Sequence, residues 1–273
     1  MIKLIASDLD GTLLPEGTAD INPEIFEVIG RLQAAGITFV AASGRNYGSI
    51  MSVFGQMEQE LTVISDNGGY GARGGVGMYC NSFPKELLRE VVTAAREVKD
   101  AWMMASAARN TYTDRNDPKY IDWMHEGYKL DIRLVEDLLT VEEPLVKVAL
   151  YTFGEDASFA IEPLRQRLGA KTAVALSGER WIDITMPGAN KGAALAQIQH
   201  ALGITPEETA AFGDNGNDIS MLKRAAESYA VANARDELKA VAKHVLTDTS
   251  DHAVLDVLKE MVTIYGAGNA GAV

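Results

Sequence analysis

Three short apolar runs near the start of the chain constrain its fold more than any other feature. They are residues 2–7, "ITFVAAS" at 37–43 and the start of "LTVISDNGG" at 61–69, and none alternates apolar with polar residues. Apolar residues spaced three and four apart predict a helix over 23–35, between the first two runs. Strands that stay apolar on both faces and alternate with helices predict a parallel sheet covered on both sides.

This pattern stops near residue 81 and returns after Pro187. We therefore expect an α/β fold with a core of residues 1–81 and 188–273 and an inserted α/β domain at 82–187. The glycine-rich run "GARGGVG" at 71–77 predicts a hairpin-like turn, and the small-residue tail at 266–273 is predicted to carry no function. The remaining predicted elements are helices at 84–99, 118–128, 157–168, 191–202, 218–226, 235–243 and 251–263, and strands at 102–107, 145–153, 172–176, 181–186, 209–215 and 229–232.

The composition restricts the partners of the chain. Its 273 residues carry a formal net charge of -13, which argues against nucleic acid and anionic membrane but allows a small phosphorylated molecule in a locally positive pocket. No run approaches 18 apolar residues, and the first run is too short for a signal peptide, so we predict no membrane span. Cys80 is the single cysteine, which fits a reducing cytoplasm.

Four polar stretches follow predicted strands or open a predicted helix. They are "DLDGT" at 8–12, "SGR" at 43–45, "NKG" at 190–192 and "GDNGND" at 213–218. In open parallel sheets, sites form in the crevice outside the carboxyl ends of the strands. We therefore expect these four stretches to converge on one site.

The side chains of these stretches suit phosphoryl transfer. Asp8, Asp10 and Asp214 offer the hard oxygen ligands that Mg²⁺ prefers. Asp8 can attack phosphorus and form an aspartyl-phosphate, and Asp10 can protonate the leaving oxygen and later activate water. The predicted donors to the phosphoryl oxygens are Ser43, the backbone of Gly44, Lys191 and Asn217.

The four motifs, in this order, resemble those of the haloacid-dehalogenase-like phosphatases. The stretches "SDNGG" and "FGDNGNDISML" further resemble the Cof-type sugar-phosphatase branch. The resemblance implies a Rossmann-like core with an inserted α/β cap that sets substrate choice. It also implies Mg²⁺-dependent hydrolysis of small phosphomonoesters such as sugar phosphates, with Asp8 as nucleophile and Asp10 as acid and base. Position by position, it assigns Ser43 and Lys191 to phosphate and Asp214 and Asp218 to the metal.

Several alternatives stay open at the level of sequence. Asp218 is either a direct metal ligand or a group that supports the metal ligands, and the supporting role is compatible with capping a helix. Arg45 binds substrate or forms a surface ion pair. The chain is a phosphatase, a sugar phosphotransferase or mutase on the same scaffold, or a phosphate-ester-binding module without turnover. The motifs do not identify the physiological substrate, because a few cap side chains decide it.

Overall fold

The computed structural model of the protein describes residues 1–15, 18–128, 130–153, 156–247 and 251–266. Its strands form two sheets, and helices pack against both of them, so the predicted α/β class is confirmed. Residues 267–273, most of the predicted featureless tail, lie outside the described residues. No helix of the described chain is long and apolar enough to cross a membrane.

The elements are numbered along the chain. The strands are β1 (Leu4–Ser7), β2 (Thr38–Ala42), β3 (Thr62–Ser65), β4 (Tyr70–Arg73), β5 (Val76–Cys80), β6 (Ala101–Ala107), β7 (Thr111–Thr113), β8 (Ile132–Leu134), β9 (Leu145–Thr152), β10 (Ala173–Gly178), β11 (Trp181–Thr185), β12 (Thr209–Gly213), β13 (Glu227–Ala230) and β14 (His244–Val245). The α-helices are α1 (Glu24–Ala34), α2 (Tyr47–Phe54), α3 (Lys85–Arg96), α4 (Pro118–Tyr128), α5 (Ile161–Leu168), α6 (Lys191–Leu202), α7 (Ile219–Leu222), α8 (Asp236–Lys239) and α9 (Asp251–Gly266).

The larger sheet, which we call the core sheet, has the strand order β14-β13-β12-β1-β2-β3-β4-β5. All neighbours from β14 to β3 are parallel, while β4 and β5 extend the sheet as an antiparallel hairpin. Leu4, Ile5 and Ala6 of β1 are consecutive and fully buried. Successive strand residues point to opposite faces, so both faces of this central strand are covered. The parallel arrangement places the ends of β1, β2 and β12 at one edge.

The second sheet, which we call the cap sheet, has the order β10-β11-β9-β6-β7-β8. One face packs on α3 and α5 through side chains such as Val91, Leu150 and Leu164. The opposite face carries Trp102, which packs with Met124 of α4. The chain thus leaves the core sheet after β5 and rejoins it with β12. The exact domain boundaries at 81/82 and 187/188 remain a prediction.

Most predicted elements are present, with two informative differences. The helices predicted over 218–226 and 235–243 shrink to the four-residue helices α7 and α8. After α7, the Ala226 N–H donates to the carbonyl of Pro206 at 2.9 Å, which directs the chain into β13 instead of another helical turn. The predicted turn in "GARGGVG" forms at Gly74 and Gly75, both with positive φ, between β4 and β5.

Packing of the core sheet predicts a large difference between two phenylalanines. Phe39 of β2 is fully buried, whereas Phe159 is 56% exposed. We expect Phe39→Ala to lower the free energy of unfolding by about 3–5 kcal/mol, because it leaves a cavity in the core. The matched control Phe159→Ala should change it by no more than about 0.5 kcal/mol. Urea unfolding measures both, and equal losses would contradict this account of the core.

Candidate active site

The strand ends at one edge of the core sheet bring the predicted motifs together. Asp8 follows β1, Ser43 follows β2, and Asp214 follows β12, which are neighbouring parallel strands. Lys191 is the first residue of α6, where the Asn190 side chain caps the helix by accepting the Ala193 N–H at 2.8 Å. The loops therefore converge as the parallel sheet requires.

Lys191 lies at the centre of this site and is fully buried. Its Nζ donates to Asp8 Oδ1 at 2.5 Å and to Asp218 Oδ1 at 2.6 Å. Burial by itself lowers the pKa of Lys191, but the carboxylates of Asp218 and Asp8 raise it by more. The pKa therefore lies above its ordinary value, and the ammonium stays charged at neutral pH.

Asp8 is buried beside two other carboxylates. Burial raises its pKa, Lys191 lowers it, and the charges of Asp218 and Asp214 raise it again, so the pKa lies well above the ordinary aspartate value. Among the described residues, Asp8 Oδ2 has no hydrogen-bond partner. A buried carboxylate oxygen without a partner is costly unless a cation or a ligand completes the site.

The carboxylates of Asp8, Asp214 and Asp218 form an acidic cluster, with one oxygen of each within 4.8 Å of the others. A cluster of carboxylate oxygens that includes the unpartnered Asp8 Oδ2 fits a small divalent cation such as Mg²⁺. The backbone comes close here: a Cβ on Gly11, whose φ is +81°, would lie 2.5 Å from Asp214 Oδ2. Position 11 therefore requires glycine.

Asp218 serves this cluster mainly by holding its neighbours. Its Oδ1 accepts from Lys191, and its Oδ2 accepts the backbone N–H groups of Asp214 and Asn215, both at 3.1 Å. It makes no capping hydrogen bond at α7, but it completes a capping box at the preceding 3-10 helix (Gly216–Asp218) by accepting the Asn215 N–H. This bonding favours support of the metal ligands, together with helix capping, over direct ligation.

Asp10 lies apart from the acidic cluster because Arg45 holds its carboxylate. Arg45 Nε donates to Asp10 Oδ2 at 2.8 Å, and Nη2 donates to Asp10 Oδ1 at 2.5 Å and to the Thr18 carbonyl at 2.5 Å. The structure therefore does not bring the Asp10 carboxylate to the predicted metal site. The Arg45 side chain is buried, so its ion pair is not the surface pair that one alternative proposed.

Three of the residues predicted to bind phosphate or substrate, Ser43, Asn217 and Arg45, differ in how their donors are engaged. Ser43 is buried, and its Oγ accepts the Arg45 N–H at 3.1 Å, which leaves the hydroxyl proton for another acceptor. Asn217 is exposed and donates to Asn67 Oδ1 at 3.0 Å. Among the described residues, Arg45 Nη1 is buried without a hydrogen-bond partner. Such a donor is available to a ligand.

Sequence reasoning missed three charged residues next to the site. Lys147 of β9 and Asp183 of β11 come from the cap sheet, and Asp66 follows β3. All three are buried, and Lys147 forms ion pairs with both aspartates. A signal was present in the sequence, since Lys147 and Asp183 are the single charged residues of the otherwise apolar stretches "LVKVALYTF" and "WIDIT".

Comparison with known proteins identifies the family of the chain. Residues 5–258 match the sequence profile of a family described as haloacid dehalogenase-like hydrolase. The chain is 28% identical to the 5-amino-6-(5-phospho-D-ribitylamino)uracil phosphatase YbjI of Escherichia coli, over 96% of each chain. It is 26% identical to a phosphatase of the same description, YitU of Bacillus subtilis, over 96% of this chain and 98% of the relative.

The fold is also similar to a solved structure. The crystal structure of a haloacid dehalogenase-like hydrolase from Bacteroides thetaiotaomicron superposes with a TM-score of 0.84 and is 27% identical, covering 96% of this chain and all of that one. Both sheets lie within the part compared. The core sheet and the cap sheet therefore occur together in a known architecture.

The central position of Lys191 makes its replacement costly. Lys191→Met leaves Asp8 and Asp218 buried without their shared cation, so we expect the free energy of unfolding to fall by about 3–5 kcal/mol. Lys243→Met, at an exposed lysine that pairs with Glu227, should cost no more than about 1 kcal/mol. Thermal and urea unfolding of both variants measure the difference.

A second variant tests the stated cause. Adding Asp218→Asn to Lys191→Met removes one of the two uncompensated charges and should recover part of the loss. If the double variant is no more stable than Lys191→Met, the loss does not come from unpaired buried charge.

Proposed function

The chain belongs to the haloacid dehalogenase-like hydrolase family and is a phosphoric monoester hydrolase of its Cof-type branch, and on this premise we propose that it hydrolyses small phosphomonoesters through a phosphorylated Asp8, with Mg²⁺. The observation that carries the proposal is the buried Lys191, which bonds Asp8 Oδ1 while Asp8 Oδ2 lacks a partner. This arrangement orients Asp8 beside an incomplete site, and the Lys191 ammonium favours its charged form against the effect of burial.

Asp8 is the proposed nucleophile. One of its carboxylate oxygens attacks phosphorus, an O–P bond forms to Asp8, and the bond from phosphorus to the leaving oxygen breaks. Its bond to Lys191 sets the direction of the carboxylate, and burial excludes the water that would otherwise solvate it. Positioning of this kind supplies most of the catalysis in phosphoryl transfer.

Asp10 is the proposed acid and base. In its protonated form it donates the proton to the leaving oxygen, and as a carboxylate it then takes a proton from the water that attacks phosphorus. That attack breaks the O–P bond to Asp8 and releases inorganic phosphate. The bidentate contact with Arg45 holds the Asp10 carboxylate in one orientation between the two steps.

The phosphoryl oxygens require several donors. The proposed set is the Lys191 ammonium, the Ser43 hydroxyl, the Gly44 backbone, the Asn217 amide and the Nη1 of Arg45. When bound, Mg²⁺ would neutralise charge between the carboxylates and the phosphoryl group. Asp8 and Asp214 would hold the ion, and Asp218 would support them through its bonds to Lys191 and to the loop backbone.

The proposed substrates are phosphates of sugars and sugar alcohols. The names of two relatives place the phosphate on a D-ribityl chain. The net charge of -13 supports a small-molecule partner over nucleic acid or an anionic membrane. Placement in the cytoplasm remains a prediction.

The proposed mechanism predicts different fates for two aspartate variants. Asp8→Asn should abolish release of phosphate from a sugar phosphate, because the nucleophile is lost. Asp10→Asn should lower it by about 10²–10⁴-fold, since acid–base catalysis is lost. With an aryl phosphate, whose phenolate leaves without protonation, Asp10→Asn should still phosphorylate Asp8 and then hydrolyse it slowly. Acid quenching and mass spectrometry of the peptide containing Asp8 would detect the added phosphoryl group.

The control is Asp20→Asn, at an exposed position, which should keep full activity. The substrates to compare are sugar phosphates, nucleotides, an aryl phosphate and 5-amino-6-(5-phospho-D-ribitylamino)uracil, each with Mg²⁺ and with a chelator. Full activity of Asp8→Asn would refute the nucleophile. An isomerised sugar phosphate without free phosphate would favour a mutase, and binding without any product would favour a module that lacks turnover.

The acidic cluster predicts that either a bound metal ion or the loss of one carboxylate stabilises the protein. We expect Mg²⁺ at 100 times its dissociation constant to add about 2.7 kcal/mol to the free energy of unfolding of the wild type. Asp8→Asn should lose this gain, yet melt at a higher temperature than the wild type without metal, because it removes a buried charge whose pKa is raised. Differential scanning calorimetry with and without Mg²⁺ measures both effects.

Asp122→Asn, at an exposed site in α4, provides the control and should respond to Mg²⁺ like the wild type. An unchanged melting temperature of the wild type across the titration would contradict a metal site at Asp8. A full gain of stability from Mg²⁺ in Asp8→Asn would likewise contradict a metal site at Asp8.

A further inference from the structure

Lys147 is a buried cation at the junction of the two sheets. It lies in β9 of the cap sheet, between Val146 and Val148, and it is 8% exposed. Its Nζ donates to the carbonyl of Gly44 at 2.8 Å, and it lies 3.1 Å from Asp66 Oδ1 and 3.8 Å from Asp183 Oδ2. Gly44 and Asp66 belong to the core, so this ammonium joins the cap to the proposed phosphate-binding loop.

The carboxylates around Lys147 keep its side chain charged and so stabilise its contact with Gly44. Burial lowers its pKa, but Asp183 and Asp66 raise it by more, so the ammonium stays charged. Asp66 is fully buried, and burial raises its pKa against the opposing effect of Lys147. These carboxylates and the Gly44 carbonyl surround the ammonium, which has three protons to donate. Lys147 is therefore engaged with protein and not placed to bind substrate directly.

The peptide group between Gly44 and Arg45 links Lys147 to the candidate active site, because it hydrogen-bonds to both Lys147 and Ser43. Its carbonyl accepts from Lys147, and its N–H donates to Ser43 Oγ. The next carbonyl, that of Arg45, accepts the Asp66 N–H at 2.8 Å, and Asp66 has a positive φ of 51°. Lys147 and Asp66 thus bond two successive carbonyls of the loop that carries Ser43 and Arg45.

A second contact links the same loop to the cap sheet. The Asn46 side chain donates to Thr111 Oγ1 of β7 at 2.5 Å, and its oxygen accepts the Ser49 N–H at the start of α2. Both residues are buried. Two independent polar bonds therefore tie residues 44–46 to two strands of the cap sheet.

From these contacts we infer that Lys147 is a positioning residue for the phosphatase reaction. It orients the Gly44–Arg45 peptide when the cap sheet is docked, and through that peptide it places the Ser43 hydroxyl and the Arg45 fork that holds Asp10. Docking of the cap thereby completes the catalytic geometry, although Lys147 itself contacts only protein groups. This inference rests on the proposed function for its kinetic test, whereas its structural test is independent of turnover.

The kinetic test compares Lys147→Met with Lys171→Met. Lys171 is an exposed cap lysine that pairs with Glu90, so its variant should behave like the wild type. With an aryl phosphate and Mg²⁺, we expect Lys147→Met to lower kcat by about 10–100-fold, because small misplacement of catalytic groups has effects of this size. KM should change by less than about threefold, since Lys147 does not contact substrate.

A double-variant cycle separates positioning from general destabilisation. Arg45→Met removes the group through which Lys147 is proposed to act. The loss of kcat in Lys147→Met combined with Arg45→Met should therefore be close to the larger of the two single losses, whereas independent effects would multiply. Multiplying losses, or an unchanged kcat in Lys147→Met, would overturn the inference.

Amide hydrogen exchange provides the structural test. The Arg45 N–H should exchange at least about tenfold faster in Lys147→Met than in the wild type or in Lys171→Met, since the peptide loses one of its anchors. Unchanged exchange would overturn the inference. If the wild type shows no turnover, the proposed function fails, but faster exchange at Arg45 would still support the positional role. If Lys147→Met does not fold, Lys147→Met with Asp66→Asn removes one of the two carboxylates left without Lys147 and takes its place in every measurement.

Discussion

The buried ammonium group of Lys191 organises the candidate active site. Lys191 bonds two carboxylates, Asp8 and Asp218, which lie in the segments that follow β1 and β12. In a low-dielectric interior, two neighbouring carboxylates are costly to bury without a shared cation. The ion pair therefore holds together three segments that are far apart in sequence. It also orients Asp8, whose second oxygen is left for a metal ion or a substrate.

The parallel core sheet provides the geometry for this arrangement. Because β12, β1 and β2 are adjacent and parallel, their carboxyl ends present Asp214, Asp8 and Ser43 along one edge. The close backbone approach at Gly11 lets the loop after β1 lie against the Asp214 carboxylate. The acidic residues are thus concentrated where a divalent cation can offset their repulsion, as hydrolases of this family require for phosphoryl transfer.

Asp10, the acid and base candidate, is positioned by contacts that do not involve Lys191. Asp10 is held by Arg45, and the loop that carries Arg45 is bonded to Lys147 of the cap sheet. Two ion-pair systems therefore meet at the active site. The first, around Lys191, belongs to the core alone, while the second, around Lys147, includes both sheets. This division suits an enzyme in which the core carries the chemistry and the cap position affects its alignment.

Local sequence determined the elements and the chemical character of the site. Apolar runs predicted β1, β2 and β3, and the four polar motifs predicted that Asp8, Lys191 and Asp214 would meet, because parallel strands end at one edge. Tertiary structure decided which groups pair. The sequence could not show that Arg45 holds Asp10 away from the acidic cluster, or that Lys147 bonds to Gly44 across 103 residues. Strand and helix propensities depend on neighbours along the chain, whereas the partner of a buried charge depends on which distant segments pack around it.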